Sequence, residues 1–157
     1  MIGWKAPRRT LDIALRATPA SVPKARRSAC AVAAANGASE EDLERIALAI
    51  SEAVTNSIVH GYGAAEGGEI QLLAAVAQDE LCVLVADDGC GLGAAPRSPG
   101  LGLGMGVIEH STDSLTITTR ASGGTIVEMR FSLRERARAA APEAQARGSV
   151  CSAICPA

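Results

Sequence analysis

Aromatic residues are nearly absent from this chain, which has one Trp, one Tyr and one Phe among its 157 residues. A buried core must therefore be built from Ala, Val, Leu and Ile. Apolar residues make up 48% of the chain, a fraction that is ordinary for a globular protein and too high for a disordered one. The length suits a single domain with a short tail.

Long apolar runs and an excess of charge of one sign are also absent. The longest apolar runs, residues 72–77 and 81–86, have the size of strands, whereas a bilayer-spanning helix needs about 18 apolar residues. Residues 1–9 carry charge and a proline but not the apolar core of a secretory signal. The formal net charge of −2 gives no electrostatic case for nucleic acid or a membrane surface. We therefore expect a cytoplasmic protein without direct nucleic-acid or membrane partners.

The cysteines fit that compartment, because the five are odd in number and show no repeating spacing. Cys151 and Cys155 lie close together in the tail, without the cluster of further Cys or His residues that a zinc site needs. We expect free thiols, with Cys30 and Cys82 buried as small apolar residues.

Periodicity and turn residues predict the element order strand, helix, helix, strand, strand, loop, helix, strand, strand. The predicted strands are residues 10–16, 69–77, 81–86, 115–119 and 124–133. The predicted helices cover about residues 21–35, 39–60 and 104–110. Ser21 and Ser39 are the expected N-caps of the first two helices, Asp42 completes a near capping box, and Gly61 should end the second helix.

This order is typical of an α/β sandwich, an α+β fold in which helices cover one face of a mixed, mostly antiparallel sheet. The domain is expected over residues 10–133, between an N-terminal arm at residues 1–9 and a disordered tail at residues 134–157. A glycine-rich loop, residues 87–103, interrupts it, and a loop of that length in a small domain is usually functional or disordered.

The second predicted helix carries two stripes of side chains. At about 100° per residue, one apolar stripe should face the core. It consists of Leu43, Ile46, Ala47, Ile50, Val54 and Ile58. Glu52, Asn56 and His60 follow one another at four-residue spacing and should form a polar stripe on roughly the opposite face. An Asn oxygen suits Mg²⁺ and a Glu one turn away suits proton transfer, although a merely solvated polar face is the alternative.

Two glycine-containing motifs follow. Asp87, at the end of a predicted strand, is placed to accept a hydrogen bond from an exocyclic amine such as that of adenine, and Gly89 and Gly91 allow a flat ligand to approach the backbone. The glycines of residues 100–106 alternate before a predicted helix and suit phosphate binding. Neither a P-loop nor a dinucleotide-binding fingerprint matches their spacing. Taken singly, the first motif is also compatible with a simple turn and the second with a flexible loop.

In this order the motifs resemble the four boxes of the GHKL ATPase superfamily, to which histidine kinases and type II topoisomerases belong. The boxes are residues 52–56 (EAVTN), 87–91 (DDGCG), 102–104 (GLG) and 124–125 (GT). Residues 51–62 (SEAVTNSIVHGY) are similar to the anti-sigma factor serine/threonine kinases of bacterial partner switching. The resemblance covers residues 10–133 and implies a histidine-kinase-like ATPase fold of the Bergerat type.

The resemblance also implies a site for ATP and Mg²⁺. Glu52 would be the general base that activates a substrate serine, Asn56 would coordinate Mg²⁺ beside the phosphates, and Asp87 would bond the adenine amine. The remaining residues implied at the ATP are Gly89 and Gly91 under the adenine, Gly102, Leu103 and Gly104 at the phosphates, and Thr125 beside the adenine.

The implied activity is that of an Mg-ATP-dependent protein-serine kinase that binds a sigma factor and phosphorylates its antagonist, a STAS-type anti-anti-sigma protein. Members of this family often form homodimers and bind partners through the region of the first helix. Arg26 is a candidate contact there, although Lys24, Arg26 and Arg27 are equally compatible with a solvated basic face. The lid, residues 92–101, is shorter than in the best-known anti-sigma kinases and offers only Arg97 as a cation for the γ-phosphate.

Because of that short lid, two alternatives stay open: a switch kinase that phosphorylates a STAS scaffold, and a regulatory module that binds ATP or ADP without phosphotransfer. The catalytic domain of a histidine kinase is disfavoured, because the nine residues before the first strand are too few for a dimerisation helix pair. A relative that keeps the fold but binds no nucleotide is disfavoured by the presence of Asn56, Asp87 and the glycines.

Overall fold

The computed structural model describes residues 10–62, 67–91, 101–121 and 123–133, and the predicted order of elements is confirmed there. The strands are β1 (Thr10–Arg16), β2 (Glu69–Ala77), β3 (Glu80–Asp87), β4 (Ser114–Thr119) and β5 (Thr125–Ser132). The helices are α1 (Ser21–Ala34), α2 (Glu40–Asn56), which continues as a π-helix (Ser57–Tyr62), and α3 (Leu101–Ser111). The predicted arm, the predicted tail with Cys151 and Cys155, and residues 92–100 of the lid with Arg97 lie outside the described residues.

The five strands form one sheet in the order β1-β2-β3-β5-β4, and each neighbouring pair of described strands is antiparallel. The α+β class is thereby confirmed, and the expected mixed sheet is antiparallel throughout the described strands. Side chains alternate along each strand between the two faces of the sheet, so that Leu81, Val83 and Val85 of β3 are buried beneath the helices. The three helices cover this one face, with α2 between α1 and α3.

The core is aliphatic, as the shortage of aromatic residues predicts. Its buried members are Ala, Val, Leu and Ile residues, together with Met129 and Phe131. Cys30 and Cys82 are half-buried, so their predicted full burial is wrong; Cys82 lies on the outer face of β3, which no described helix covers. Burial raises the pKa of both thiols.

The ends of the helices depart from prediction in two places. Ser39 caps α2 through a capping box with Asp42, as expected, but Ser21 is the first residue of α1 and not its N-cap. The Ser21 hydroxyl instead donates a hydrogen bond of 2.6 Å to the carbonyl oxygen of Arg16, which fastens the end of β1 to the helix. Helix α3 begins at Leu101, three residues before the predicted start.

Gly61 does not end the helical run, as it was expected to do, because it lies inside the π-helix. A Cβ at Gly61 would lie 3.1 Å from Oδ1 of Asp87, so this turn packs directly on the end of β3. The wider π turn therefore brings the end of the helical run onto the strand that carries Asp87, and such turns are frequent at functional sites. No helix in the described part of the chain is long and apolar enough to cross a membrane.

Candidate functional site

A cleft opens between α2 with its π-helix, the start of α3 and the ends of β3 and β5. It is lined by Ala53, Asn56, Ser57, His60, Gly61, Asp87, Gly91, Met105, Ile117, Thr125 and Val127. Most of these residues are apolar or small, and a few polar groups converge among them. A ligand site typically combines an apolar wall with a few oriented polar groups in this way.

Asp87 is the buried carboxylate of this cleft, with a relative exposure of 3%. It follows the last apolar residue of β3, where the alternation of the strand turns its side chain toward the helices. Its Oδ1 atom accepts two backbone hydrogen bonds, from Gly89 N at 3.1 Å and from Thr125 N at 3.2 Å. No described residue donates to Oδ2. Asp87 is therefore held rigidly while one oxygen remains available to a ligand donor.

The predicted glycines explain how the backbone closes around Asp87. A Cβ at Gly89 would lie 2.2 Å from the carbonyl oxygen of Gly61, so no larger residue fits between β3 and the π-helix. Gly91 has a φ of +74°, a left-handed conformation that side chains strain, and it lines the cleft. The structure thus brings Asp87, Gly89, Gly91 and Thr125 together, as their sequence motifs predict.

Hydrogen bonds of Tyr62 join the end of the π-helix to the start of β2 and to Asp88, next to Asp87. The hydroxyl oxygen of Tyr62 accepts hydrogen bonds of 3.1 Å from the backbone N–H groups of Glu69 and Asp88, and the hydroxyl donates to the Asp88 carboxylate. Burial, together with the neighbouring Asp88 carboxylate, raises the pKa of Tyr62 to about 12. The hydrogen bond from Tyr62 in turn lowers the pKa of Asp88. Sequence reasoning did not identify this cluster, because Tyr62 meets Glu69 and Asp88 only in the folded chain.

Glu52 and Asn56 meet the first turn of α3 at Gly104. A Cβ at Gly104 would lie 3.0 Å from Oε2 of Glu52 and 3.4 Å from Oδ1 of Asn56. Asn56 lines the cleft, and its Nδ2 contacts Sδ of Met105 at 3.7 Å. Glu52 is half-buried one turn earlier in α2 and is not among the residues that line the cleft.

Gly102 and Leu103 belong to the same first turn of α3, and their side-chain surroundings lie outside the described residues. The first turn of any helix leaves backbone N–H groups without an intrahelical partner. The predicted phosphate-binding backbone therefore begins a helix and lies beside Asn56.

The polar stripe of α2 is not on the face opposite the core, so that part of the prediction is wrong. Glu52, Asn56 and His60 are half-buried on the flank of the helix that faces α3 and the cleft. The reason is that α3 packs against α2 and covers this flank. His60 lines the cleft near the end of the helical run.

The sequence analysis did not identify the apolar residues that line the cleft. Ala53, Met105, Ile117 and Val127 line the cleft, and their sequence signal is weak because each is also an ordinary core residue. The alternation of β4 and β5 places Ile117 and Val127 on the helix-covered face, opposite each other in the paired register. This alternation is the sequence signal by which Ile117 and Val127 could have been assigned to the cleft side of the sheet.

The sequence matches a family of known proteins. The family model described as histidine kinase-like ATPase domain matches residues 15–131. An anti-sigma F factor of Clostridium novyi is 31% identical over 105 residues, which cover 60% of this chain and 73% of the relative. An anti-sigma F factor of Clostridium perfringens (strain SM101) is 33% identical over 101 residues, which cover 57% of this chain and 72% of the relative.

A solved structure shows the same fold. It is the crystal structure of the RsbU and RsbW domains of Rv1364c from Mycobacterium tuberculosis, with 28% sequence identity and a TM-score of 0.63. The match covers 82% of this chain and 33% of that longer chain. Since the family model spans most of the sequence and the anti-sigma F factors match over most of their own length, the chain belongs to the family of histidine-kinase-like ATPase domains.

Proposed function

We propose that this protein is an anti-sigma factor of a bacterial partner-switching system that uses Mg-ATP to phosphorylate a serine of a STAS-type antagonist. The observation that carries the proposal is the buried Asp87, which has one oxygen available in a cleft with a glycine floor. The names of the anti-sigma F factor relatives support the regulatory role.

Adenine recognition follows from the geometry of Asp87. A carboxylate oxygen only accepts hydrogen bonds, and the adenine amine is a donor. Guanine carries a carbonyl oxygen at the corresponding position, which a carboxylate repels. Because two backbone N–H groups hold the other oxygen, Asp87 cannot turn to relieve that repulsion without breaking them. The site should therefore discriminate ATP from GTP.

The phosphates would lie at the first turn of α3, beside Gly102, Leu103 and Gly104, since partly positive N–H groups at a helix start attract anions. Mg²⁺ usually binds through one or two protein oxygens together with phosphate oxygens and water. Asn56 would supply one such oxygen, because its Oδ1 lies beside the first turn of α3, where a Cβ at Gly104 would be 3.4 Å from it. When bound, the ion would neutralise phosphate charge.

Glu52 would accept the proton of the attacking serine hydroxyl, because it lies one turn from Asn56 and against the first turn of α3. The serine oxygen would then bond to the γ-phosphorus while the bond to the β-phosphate oxygen breaks, and ADP would leave. Such a transfer depends mainly on positioning and charge neutralisation.

The proposed partners are a sigma factor and the STAS-type protein. Because a sigma factor acts in the cytoplasm, that is the proposed location. The proposed assembly is a homodimer. The names of the anti-sigma F factor relatives support the sigma factor as a partner, and the sequence resemblance supports the STAS-type protein and the homodimer. A non-catalytic nucleotide-binding module is the competing function, and phosphoryl transfer distinguishes the two.

Calorimetric titration with ATP and Mg²⁺ tests the nucleotide site. We expect saturable binding by the wild type, weaker binding of GTP, and an affinity for ATP at least about tenfold lower in Asp87→Asn, which presents an amide in place of an acceptor-only carboxylate. Asp12→Asn is the matched control, because Asp12 is exposed on β1, far along the sheet from the cleft. Equal affinities of the wild type and Asp87→Asn would refute the proposal.

A further inference from the structure

The outward side of α2 and its π-helix carries an unusual pair of apolar residues. Between Glu44 and Tyr62 the exposed side chains are Glu44, Leu48, Thr55 and Val59, which we name the α2 ridge. Leu48 is 49% exposed and Val59 is 53% exposed, and they are the exposed large hydrophobic residues of the described part of the chain. An amphipathic helix normally presents polar residues on this side.

The α2 ridge is not covered by the described helices. Helices α1 and α3 pack on the two flanks of α2 and leave the side between them in solvent. Leu48 and Val59 are therefore outside the buried core, to which the opposite side of α2 contributes Ile46, Ile50 and Val54. A large apolar side chain that the fold does not bury is typical of a surface that a partner covers.

Glu52 lies beside this surface. Leu48 comes one turn before it, at about 40° around the helix axis, and Val59 comes about two turns after it. The rise of the helix places Leu48 and Val59 about 15 Å apart along the axis, with Glu52 between them. Gly104 of α3 lies against the Glu52 carboxylate on one side, and the α2 ridge borders Glu52 on the other side of the helix surface.

We propose that the α2 ridge is the docking surface for the phosphoacceptor protein. The segment that carries the acceptor serine would place apolar side chains on Leu48 and Val59, so that its hydroxyl meets Glu52 between them. The inference rests on the proposed kinase function and adds to it the surface and the chemistry of the partner.

Charge defines the partner further. The N-terminal end of α2 carries the exposed carboxylates of Glu40 and Glu44, and no exposed cation lies on the α2 ridge. Glu44 lies one turn before Leu48, and Glu52 one turn after it. The acceptor segment is therefore expected to carry a Lys or Arg beside its apolar residues and no acidic residue next to the serine.

Steady-state kinetics of phosphorylation separate docking of the acceptor, which the KM for the acceptor reports, from chemistry, which kcat reports. The probe is each purified STAS-domain protein encoded in the same genome, incubated with the full chain and ATP labelled at the γ-phosphate. For the protein that the wild type phosphorylates, Leu48→Ser and Val59→Ser should each raise its KM at least about tenfold. The kcat at saturating acceptor and the Kd for ATP should stay within about twofold, since neither residue lines the cleft.

Two further variants sharpen the test. Leu84→Ser is the matched control, because Leu84 is a half-buried leucine on the outer face of the sheet, and it should leave the KM unchanged. Glu44→Lys should raise the KM at low ionic strength and lose most of that effect at about 1 M salt, where surface charges are screened.

Five outcomes overturn the inference. A wild-type KM in both serine variants would show that the acceptor docks elsewhere while the kinase function stands. An equal loss in Leu84→Ser, or a fall in ATP affinity in the ridge variants, would assign the effect to stability. A wild-type dimer that Leu48→Ser dissociates in sedimentation would make the α2 ridge a contact between two copies. ATP binding without phosphorylation of any STAS-domain protein would refute the kinase function and the docking surface with it.

Discussion

At the scale of the residue, the two oxygens of Asp87 do different things. Two backbone N–H groups donate hydrogen bonds to Oδ1, and no described residue donates to Oδ2. One carboxylate thus serves as a structural link between β3 and β5 and as a candidate adenine acceptor. Glu52, in contrast, accepts no described hydrogen bond and lies at the edge of the α2 ridge, a position that suits the general base of the proposed transfer.

Replacing Glu52 by Gln should separate chemistry from binding. The amide keeps the shape of the side chain but cannot accept the serine proton, so transfer to the acceptor should fall by about 10²–10⁴-fold. The Kd for ATP should change by less than about twofold, because Glu52 does not line the cleft. Initial rates with labelled ATP and calorimetry measure the two quantities. Glu109→Gln, an exposed change on α3, is the control, and a wild-type rate in Glu52→Gln would exclude Glu52 as the base.

Replacing Gly89 by Ala should push the π-helix away from the end of β3. The added Cβ would lie 2.2 Å from the Gly61 carbonyl oxygen, and this contact is with backbone, which cannot rotate aside. We expect a loss of about 1–3 kcal/mol in the free energy of unfolding in urea, with at least about tenfold weaker ATP binding.

Gly106→Ala is the matched control, because a Cβ at Gly106 in α3 meets nothing within 4 Å. That variant should be unchanged or more stable by up to about 1 kcal/mol, since Ala is the better helix former. Equal stability of the two variants would show that the close approach at Gly89 does not constrain the fold.

At the scale of the element, α2 is fixed at both ends by side chains. Ser39 and Asp42 form a reciprocal capping box at its start, and Arg45 reaches from α2 to Asp42 and to the Ser111 carbonyl at the end of α3. At the other end, Tyr62 joins the π-helix to the start of β2 and the end of β3. Since Glu52 and Asn56 lie between these two fixed ends, the anchoring holds their positions relative to the cleft.

The capping box should make stability depend on pH in acid. Burial alone raises the pKa of Asp42, but hydrogen bonds from Ser39 and Arg45 outweigh it and lower the pKa overall. A lowered folded-state pKa stabilises the protein above the unfolded value of about 3.9, and this contribution is lost as the pH falls through the folded-state pKa. Ser39→Ala should therefore cost about 0.5–2 kcal/mol at pH 7 and reduce the loss of stability below about pH 4.

Urea unfolding at pH 7 and in steps below pH 4 measures both effects. Ser114→Ala, an exposed change on β4, is the control and should alter neither the stability nor its pH profile. An unchanged acid profile in Ser39→Ala would mean that the capping box does not set the pKa of Asp42.

At the scale of the whole molecule, the cleft is a meeting point of separate layers. Asp87 comes from the sheet, Asn56 from the middle helix, and Met105 from a helix more than forty positions further along the chain than Asn56. A ligand that contacts all three residues should therefore raise the free energy of unfolding of the whole domain.

Thermal unfolding tests this coupling. At an ATP concentration of about 100 times Kd, binding contributes about 2.7 kcal/mol, which corresponds to a rise in Tm of about 5–10 °C for a domain of this size. Differential scanning calorimetry would record it. Asp87→Asn should show little rise at the same ATP concentration, and a rise of equal size with GTP would contradict adenine recognition by Asp87.

Much of the fold followed from local sequence. The strand at residues 10–16 and the cap at Ser39 were predicted correctly because alternation and capping depend on neighbouring residues. The break predicted at residues 78–80 is a hairpin turn at Gln78 and Asp79, whose positive φ values suit the tight turn that joins two twisted strands, and β3 begins one residue earlier than predicted. The α-helical continuation to residue 60 and the cap at Ser21 were wrong, because contacts with β3 and β1 decided those ends.

The sequence by itself determined which residues come together around Asp87: Gly89, Gly91 and Thr125 lie there as their motifs predict, because Asp87 and Thr125 lie at facing ends of the paired strands β3 and β5. Only the tertiary structure decided where the helical residues face. The packing of α3 against α2 covers the flank that carries Glu52 and Asn56, of which Asn56 lines the cleft, and leaves Leu48 and Val59 in solvent. The physical reason is that a periodic pattern defines the faces of a helix, whereas the neighbours that cover each face are set by the rest of the chain.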